Sequence, residues 1–295
     1  MMREHFLVTV YITTFNRLDL LKRSLDSVRT QTYKNIEIIV VDDCSTDGTQ
    51  EFLKEIAKGD ERINFFLKEK NGGACESRNI AIQSARGEYI TGLDDDDYFL
   101  PDRLENFIKN IVFDDNVVLY FDNCLIKVNE TENINISFKQ KILNYIRPTK
   151  VYAKDLLFMN YIGNQVFIKT SILKENGAFD QAMPMWQDLE CWYNVLKKTK
   201  GYAKRLSSYT YVVDISNEID RISNLKAEKA SKAYQRFLFK HKLDRNLAEI
   251  LFCQFYEYDR SLIRPLLLLK RLKYNFSVFI IVNTVKNFLL YIKNR

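Results

Sequence analysis

Histidine is nearly missing from this chain: of 295 residues only His5 and His241 are histidine. That leaves little material for histidine metal sites or a serine–histidine triad. The five cysteines (Cys44, Cys75, Cys124, Cys191 and Cys253) are odd in number, scattered, and form no C-x-x-C pair. Such usage argues against a disulfide frame or structural zinc and for a reducing compartment. Long hydrophobic runs are also lacking. The longest, FSVFIIVNTVKNFLLYI (276–292), is broken by Asn283, Lys286 and Asn287, whereas a membrane-spanning helix needs ~20 apolar residues. The opening MMREHFLVTVYITTFNR has neither the apolar length nor the cleavage site of a signal peptide. Acid is missing from one region only. No Asp or Glu follows Asp259, and residues Arg221 to Arg295 carry 16 Lys/Arg against 5 Asp/Glu, while the remainder has a net charge of −5.

What is present is a large supply of core-forming residues. Hydrophobic content is 46% and aromatic content 13%, enough for one large α/β domain with an extension. FLVTVYIT (6–13), IEIIVV (36–41), INFFL (63–67) and EYITGL (88–93) read as strands. Between them Leu18, Leu21, Leu25 and Val28 recur at helical spacing, Thr46 offers a cap for a helix through Phe52, Leu53 and Ile56, and Ala81, Ile82 and Ala85 mark another helix. Pro101 suits the first turn of a helix over DRLENFIKNIVF. Apolar strands alternating with helices predict a parallel sheet covered on both faces. Further on, VVLYFDNCLIKV (117–128), NQVFIK (164–169) and YAKRLSSYTYVV (202–213) read as strands. WQDLECWYNVLKK (186–198) reads as helix, residues 129–150 as loop, and the chain from about Glu218 as basic helix.

The chemistry concentrates at strand ends, where open parallel sheets bind ligands. TTFNR (13–17) follows the first strand, DDCSTD (42–47) the second, and DDDD (94–97) the strand EYITGL. Four adjacent carboxylates repel one another and raise each other's pKa unless a cation or full solvation offsets the charge.

VTVYITTFNR, QTYKNIEIIVVDDCSTDGT, NGGACESRNIAI, GEYITGLDDDDYFLPDRLE and GAFDQAMPMWQDLEC occur in this order over roughly residues 6–200. Together they resemble the family 2 inverting glycosyltransferases of the GT-A fold. The resemblance implies a Rossmann-like, mostly parallel central sheet flanked by helices over 1–215, with a basic helical extension over 216–295. It implies a D-x-D site in which Asp96 ligates Mg²⁺ or Mn²⁺ directly and Asp94 and Asp95 lie close by, the ion gripping a donor diphosphate. Asp43 would accept from uracil N3–H with Asp42 in support. Thr13 would meet the base or ribose, Phe15 pack on the base or serve as a core aromatic, and Arg17 reach a phosphate. Gly72 and Gly73 permit close backbone approach. Arg78 offers a fork for phosphate, or else neutralises the aspartates.

For the general base, WQDLE places Asp188 where the family has Glu-Asp, with Gln187 in place of the glutamate and Glu190 as runner-up. Trp186 and Trp192 are candidates for stacking on acceptor sugars, Trp192 more naturally as core, and Asn164 for contact with donor or acceptor. The Q-x-x-R-W motif of processive synthases is missing, which implies one sugar added per encounter. The implied activity is metal-dependent transfer of a hexose or N-acetylhexosamine from a UDP-sugar to a saccharide, lipid-linked in bacterial surface-polysaccharide synthesis. The alternatives are a sugar-phosphate nucleotidyltransferase, whose glycine-rich basic loop TTFNRLDLL lacks, and a non-catalytic scaffold that binds a nucleotide sugar on the membrane. The tail over 260–295 carries eight cations and no anion. It fits an anionic membrane surface, placing the protein peripherally on the cytoplasmic side, or a lid packed on the body or on a second subunit of a homodimer. Nucleic acid fits poorly, because no binding module is present and the body is acidic.

Overall fold

The computed structural model describes residues 6–112, 114–128, 138–163, 166–216, 223–258 and 260–293. Its first part alternates strictly: β1 (Val8–Thr14), α1 (Leu18–Arg29), β2 (Ile36–Asp42), α2 (Thr49–Gly59), β3 (Ile63–Leu67), α3 (Ala74–Ser84) and β4 (Tyr89–Asp94). The middle part is mixed: β5 (Tyr98–Phe99), α4 (Arg103–Asn110), β6 (Val117–Lys127), α5 (Phe138–Ile146), β7 (Lys150–Val151), α6 (Ala153–Leu156), β8 (Phe167–Lys169), α7 (Thr170–Glu175), α8 (Gln187–Thr199) and β9 (Tyr202–Asp214). Then come α9 (Ser223–His241), α10 (Arg245–Phe252), two short 3₁₀ segments, α11 (Pro265–Tyr274) and α12 (Val278–Lys293).

The nine strands among the described residues join one sheet in the order β3-β2-β1-β4-β8-β6-β9-β5, with β7 pairing β9. β3, β2, β1 and β4 are parallel, as the alternation predicts, and β8 then runs antiparallel to β4 and β6. Side chains alternate between two covered faces. Val8, Val10 and Ile12 of β1 pack with Leu21 and Leu25 of α1, and Tyr11 faces the opposite cluster containing Ala81 and Trp192. That second cluster also holds Phe237, Ile250, Leu251, Phe279 and Ile280, so the C-terminal helices share a core with the sheet.

Three local expectations are corrected. Residues 138–146, read as loop, form α5. Thr46 does not cap α2. The N-cap is Gly48 at φ +92°, and Asp47 instead accepts from the Leu18 N–H at 2.9 Å and the Thr49 N–H at 3.1 Å, serving the starts of α1 and α2 together. Pro101 precedes α4 rather than occupying its first turn, because Asp102 is the N-cap.

Candidate active site

The carboxyl ends of β1, β2 and β4 lie side by side and open a crevice of about 300 Å³. Thr13, Phe15, Arg17, Asp43, Arg78, Asp94, Asp95 and Asp96 all line it, joined by Thr14, Ala74 and Ser77, which the sequence did not single out. Phe15 is 43% exposed and belongs to the crevice, not the core. A larger cavity of about 750 Å³ lies at the other end of the strands, between Gly87, Glu88 and Asp114. It gathers no comparable set of groups at the strand ends where ligands bind.

The four aspartates divide their duties. Asp94 to Asp97 form a tight turn closed by the Asp97 N–H donating to the Asp94 carbonyl at 3.1 Å. A turn brings its first and fourth residues together, so Asp94, Asp96 and Asp97 present carboxylate oxygens within 4.8 Å of one another. Asp97 was missed in the sequence, although the spacing of a four-residue turn was the signal for it. Asp95 points elsewhere: it accepts from Thr14 Oγ1 at 2.8 Å and from Arg17 at 3.1 Å. Burial raises its pKa to about 6, against the lowering pull of Thr14 and Arg17. Burial and the charge of Asp94 together raise Asp97 to about 7, although the Tyr211 hydroxyl and Asp214 N–H donate to it. Hard oxygen donors at this spacing fit Mg²⁺ or Mn²⁺.

Arg78 ties this cluster to α8. Its guanidinium is buried against the Phe179 ring, donates to Asp94 at 2.9 Å and to Gln187 Oε1 at 3.2 Å, and stands 3.9 Å from Asp188 Oδ1. Of the two roles open to Arg78, the geometry places it on carboxylates. Asp188 keeps 27% of its side chain exposed, and Oδ1 has no hydrogen-bond partner. Burial raises its pKa to about 6, Arg78 pulls it down, and Asp94 pushes it up. A half-buried carboxylate near neutrality, with one oxygen free of hydrogen bonds, is suited to take a proton. Trp186 before it adopts φ +60°, a strained left-handed conformation for a tryptophan, at the start of α8.

The second strand end is built around Asp43. Its Oδ1 accepts from Lys68 at 2.5 Å and the Gly72 N–H at 2.9 Å, and its Oδ2 from the Gly73 N–H at 2.8 Å. Burial pushes its pKa up, but these bonds hold it below the ordinary carboxylate value. It stays an ionised acceptor with a lone pair left on Oδ2. The close backbone approach at Gly72 and Gly73 therefore serves this carboxylate, and Gly73 at φ +84° makes the bend possible. Asp42 does not line the crevice. It is fully buried and accepts from the Ser45 N–H and from Gln50, fixing the loop that carries Asp43. Gly92 keeps β4 clear of Tyr11, whose ring would lie 2.5 Å from an added Cβ.

Other sequence candidates sit away from the crevice. Glu190 is fully buried and bonded to Lys240 and His241, both at 2.8 Å, so it anchors α9 and faces no substrate. Trp192 is core, and Asn164 lies outside the described residues. Trp186 donates to the Tyr258 hydroxyl at 3.0 Å, on the side of α8 toward the C-terminal helices.

Residues 9–177 match the family model described as glycosyl transferase family 2. The putative colanic acid biosynthesis glycosyl transferase WcaA of Escherichia coli K12 is 32% identical over 82% of this chain and 83% of its own. The GalNAc(5)-diNAcBac-PP-undecaprenol beta-1,3-glucosyltransferase of Campylobacter jejuni is 30% identical over 66% of this chain and 61% of its own. Among solved structures, S. aureus TarS 1-349 in complex with UDP-GlcNAc superposes with a TM-score of 0.60 at 18% identity, over 89% of this chain and 79% of that one, which establishes a common fold. The order of motifs along the strand ends and these likenesses have one explanation: the chain is a glycosyltransferase and belongs to family 2.

Proposed function

We propose that the protein transfers a hexose or N-acetylhexosamine from a UDP-sugar to a saccharide hydroxyl, with inversion and one sugar per encounter. The observation that carries this reading is the Arg78 bridge, which sets Asp188 beside the acidic turn at the mouth of the crevice. The base lies near Asp43, whose remaining lone pair on Oδ2 suits uracil N3–H, with Phe15 across from it. Asp42 supports this arrangement from behind. Arg17, which lines the crevice, meets the diphosphate in this reading.

Asp94, Asp96 and Asp97 are the residues to hold Mg²⁺ or Mn²⁺, and such an ion neutralises charge on a departing diphosphate. Asp188 takes the proton from the acceptor hydroxyl, and the oxygen attacks the anomeric carbon opposite the leaving group. Proton transfer of this kind contributes about 10²–10⁴ in rate. Arg78 keeps Asp188 ionised near neutral pH.

The C. jejuni relative's name specifies a polyprenyl-diphosphate-linked substrate and the E. coli relative's name a surface polysaccharide. Both favour a lipid-linked acceptor in surface-polysaccharide synthesis for this chain. Residues 1–215 then supply the donor and the chemistry, and 216–295 the acceptor side. No helix among the described residues is long and apolar enough to cross a membrane. Contact with the cytoplasmic leaflet falls to the outer side of α11, α12 and their link, where Leu266, Phe276, Val278 and Leu289 are exposed in a segment whose charged residues are all Lys or Arg.

The test is turnover of UDP-glucose, UDP-galactose and UDP-N-acetylhexosamines with Mn²⁺ and lipid-linked acceptor mimics, wild type against Asp188→Asn. A fall of at least 10²-fold in the variant is expected. Equal turnover removes Asp188 from the mechanism, and a wild type inactive on every donor points to a binding scaffold.

A further inference from the structure

A second cavity, of about 310 Å³, lies between the start of α8 and the C-terminal helices, and shares no lining residue with the crevice. Asn160, Trp186, Tyr258, Arg271, Asn283 and Asn287 supply its polar wall, and none of its lining residues is acidic. Trp186 and Leu189 stand at the start of α8 with Asp188, which Arg78 ties to the acidic turn of the crevice. Its volume is at the lower end for small-ligand sites.

Arg271 is the unusual member. It is 2% exposed, yet its guanidinium has only neutral acceptors: the Phe158 carbonyl at 2.7 Å and Asn283 Oδ1 at 3.2 Å. Its Nε is buried without a partner, and no carboxylate pairs with it among the described residues. A buried, uncompensated charge is costly, and proteins keep one where an opposite charge arrives. Asn160 adds a donor. Its Oδ1 is engaged by the N–H groups of Ile162 and Gly163, which leaves the amide NH₂ to give. The helices α11 and α12, which carry Arg271, Asn283 and Asn287 on the cavity side, expose Leu269, Val282, Val285, Phe288 and Leu289 on the other, with Phe276 exposed in the link between them.

We infer that this cavity binds the phosphoryl groups of a prenyl-diphosphate-linked acceptor, with Arg271 as the counter-charge and the outer face of α11 and α12 as the path of the prenyl chain. The inference rests on the lipid-linked reading above and adds to it the residues that recognise the acceptor's anionic link. The saccharide then extends from the cavity past Trp186 toward Asp188.

Farnesyl diphosphate, inorganic diphosphate and farnesol serve as probes, titrated into the full chain and followed by calorimetry and by the fluorescence of Trp186, with Trp186→Phe to identify the signal. Arg271→Gln removes the charge. Because burial makes that variant vulnerable in folding, Asn287→Asp places a carboxylate on the cavity wall from a half-buried position. The expected result is binding of farnesyl diphosphate weakened at least tenfold in Asn287→Asp, farnesol bound weakly or not at all, and UDP affinity unchanged. Unchanged farnesyl diphosphate affinity in Asn287→Asp, or farnesol binding equal to farnesyl diphosphate, overturns the inference. Inorganic diphosphate bound as tightly as farnesyl diphosphate overturns the lipid part and leaves a free-diphosphate site. If the wild type binds no UDP while Asn287-sensitive diphosphate binding persists, the transferase reading falls and the cavity assignment stands.

Discussion

Arg17 and Asp96 are joined at 2.9 Å across the mouth of the crevice, so the side chain proposed to meet a donor phosphate already occupies a carboxylate proposed to hold the ion. Both side chains are about half exposed, and such a pair is worth only ~0.2–1 kcal/mol. Arg17→Ala is therefore expected to bind Mn²⁺ alone up to about fivefold more tightly. The same variant is expected to bind UDP roughly tenfold or more weakly, since a charge-assisted bond to phosphate contributes ~1.5–3 kcal/mol. Calorimetry with each ligand checks the two opposite signs.

Burial and the neighbouring Asp94 push the Asp97 carboxyl up to about 7 when no ion is present. Its proton must leave for a cation to bind. Mn²⁺ affinity should thus rise with pH up to about 7 and level off above it, with proton release visible as buffer-dependent binding enthalpy. Asp97→Asn should bind more weakly, with the part of the pH dependence between 6 and 7 gone.

Asp188 must be ionised to act as a base, and its pKa stands at about 6. Turnover, as kcat/KM under saturating Mn²⁺, is expected to fall tenfold per pH unit below about 6 and to be flat above. Arg78 lowers this pKa, so Arg78→Gln should move the limb to higher pH as well as lower the plateau. An unmoved limb in that variant would assign it to another group.

Glu190 holds Lys240 and His241 from a fully buried position. Glu190→Ala leaves the buried His241 without its acceptor while Lys240 keeps Asp180, and an unsatisfied buried polar group costs about 1–3 kcal/mol. A fall in melting temperature is expected. In Glu190→Gln, the folded fraction should keep wild-type kcat, which separates this residue from the base.

Removing residues 260–295 is a poor probe of membrane contact, because Leu268, Phe279 and Ile280 are buried there. Leu266→Glu with Phe276→Glu changes side chains that are 80% and 79% exposed. This pair should retain the fold and lose flotation with anionic liposomes. Flotation equal to wild type would return the outward face to another role.

The parallel half of the sheet was readable because burial on both faces leaves β1, β2 and β4 almost without polar interruption. β5 and β7, two residues each, follow from pairing with β9 and no local period encodes them, whereas β8 falls inside NQVFIK, which reads as a strand. In the site, Thr13, Phe15, Arg17, Asp43 and Asp94 to Asp96 announced themselves by clustering at strand ends, whereas Ala74 and Ser77 enter the crevice from α3. Asp97 needed the turn geometry, and Lys68 meets Asp43 only because β3 lies beside β2. Glu190 looked like a helix-start carboxylate beside Asp188. Its partners arrive from α9, about fifty residues later, and no spacing rule reaches that far.

The sheet and the last helices are packed into one apolar cluster, in which Phe237, Ile250 and Ile280 touch the same neighbourhood as Trp192 and Phe179. Exchanging the terminal segment with that of a cousin enzyme, as one would swap a detachable module to alter which acceptor is used, would open voids or clashes beneath α8. Chimeras of this protein should carry the inward-facing side chains of α8 along with the transplanted helices, and respecificity by engineering must begin from that seam.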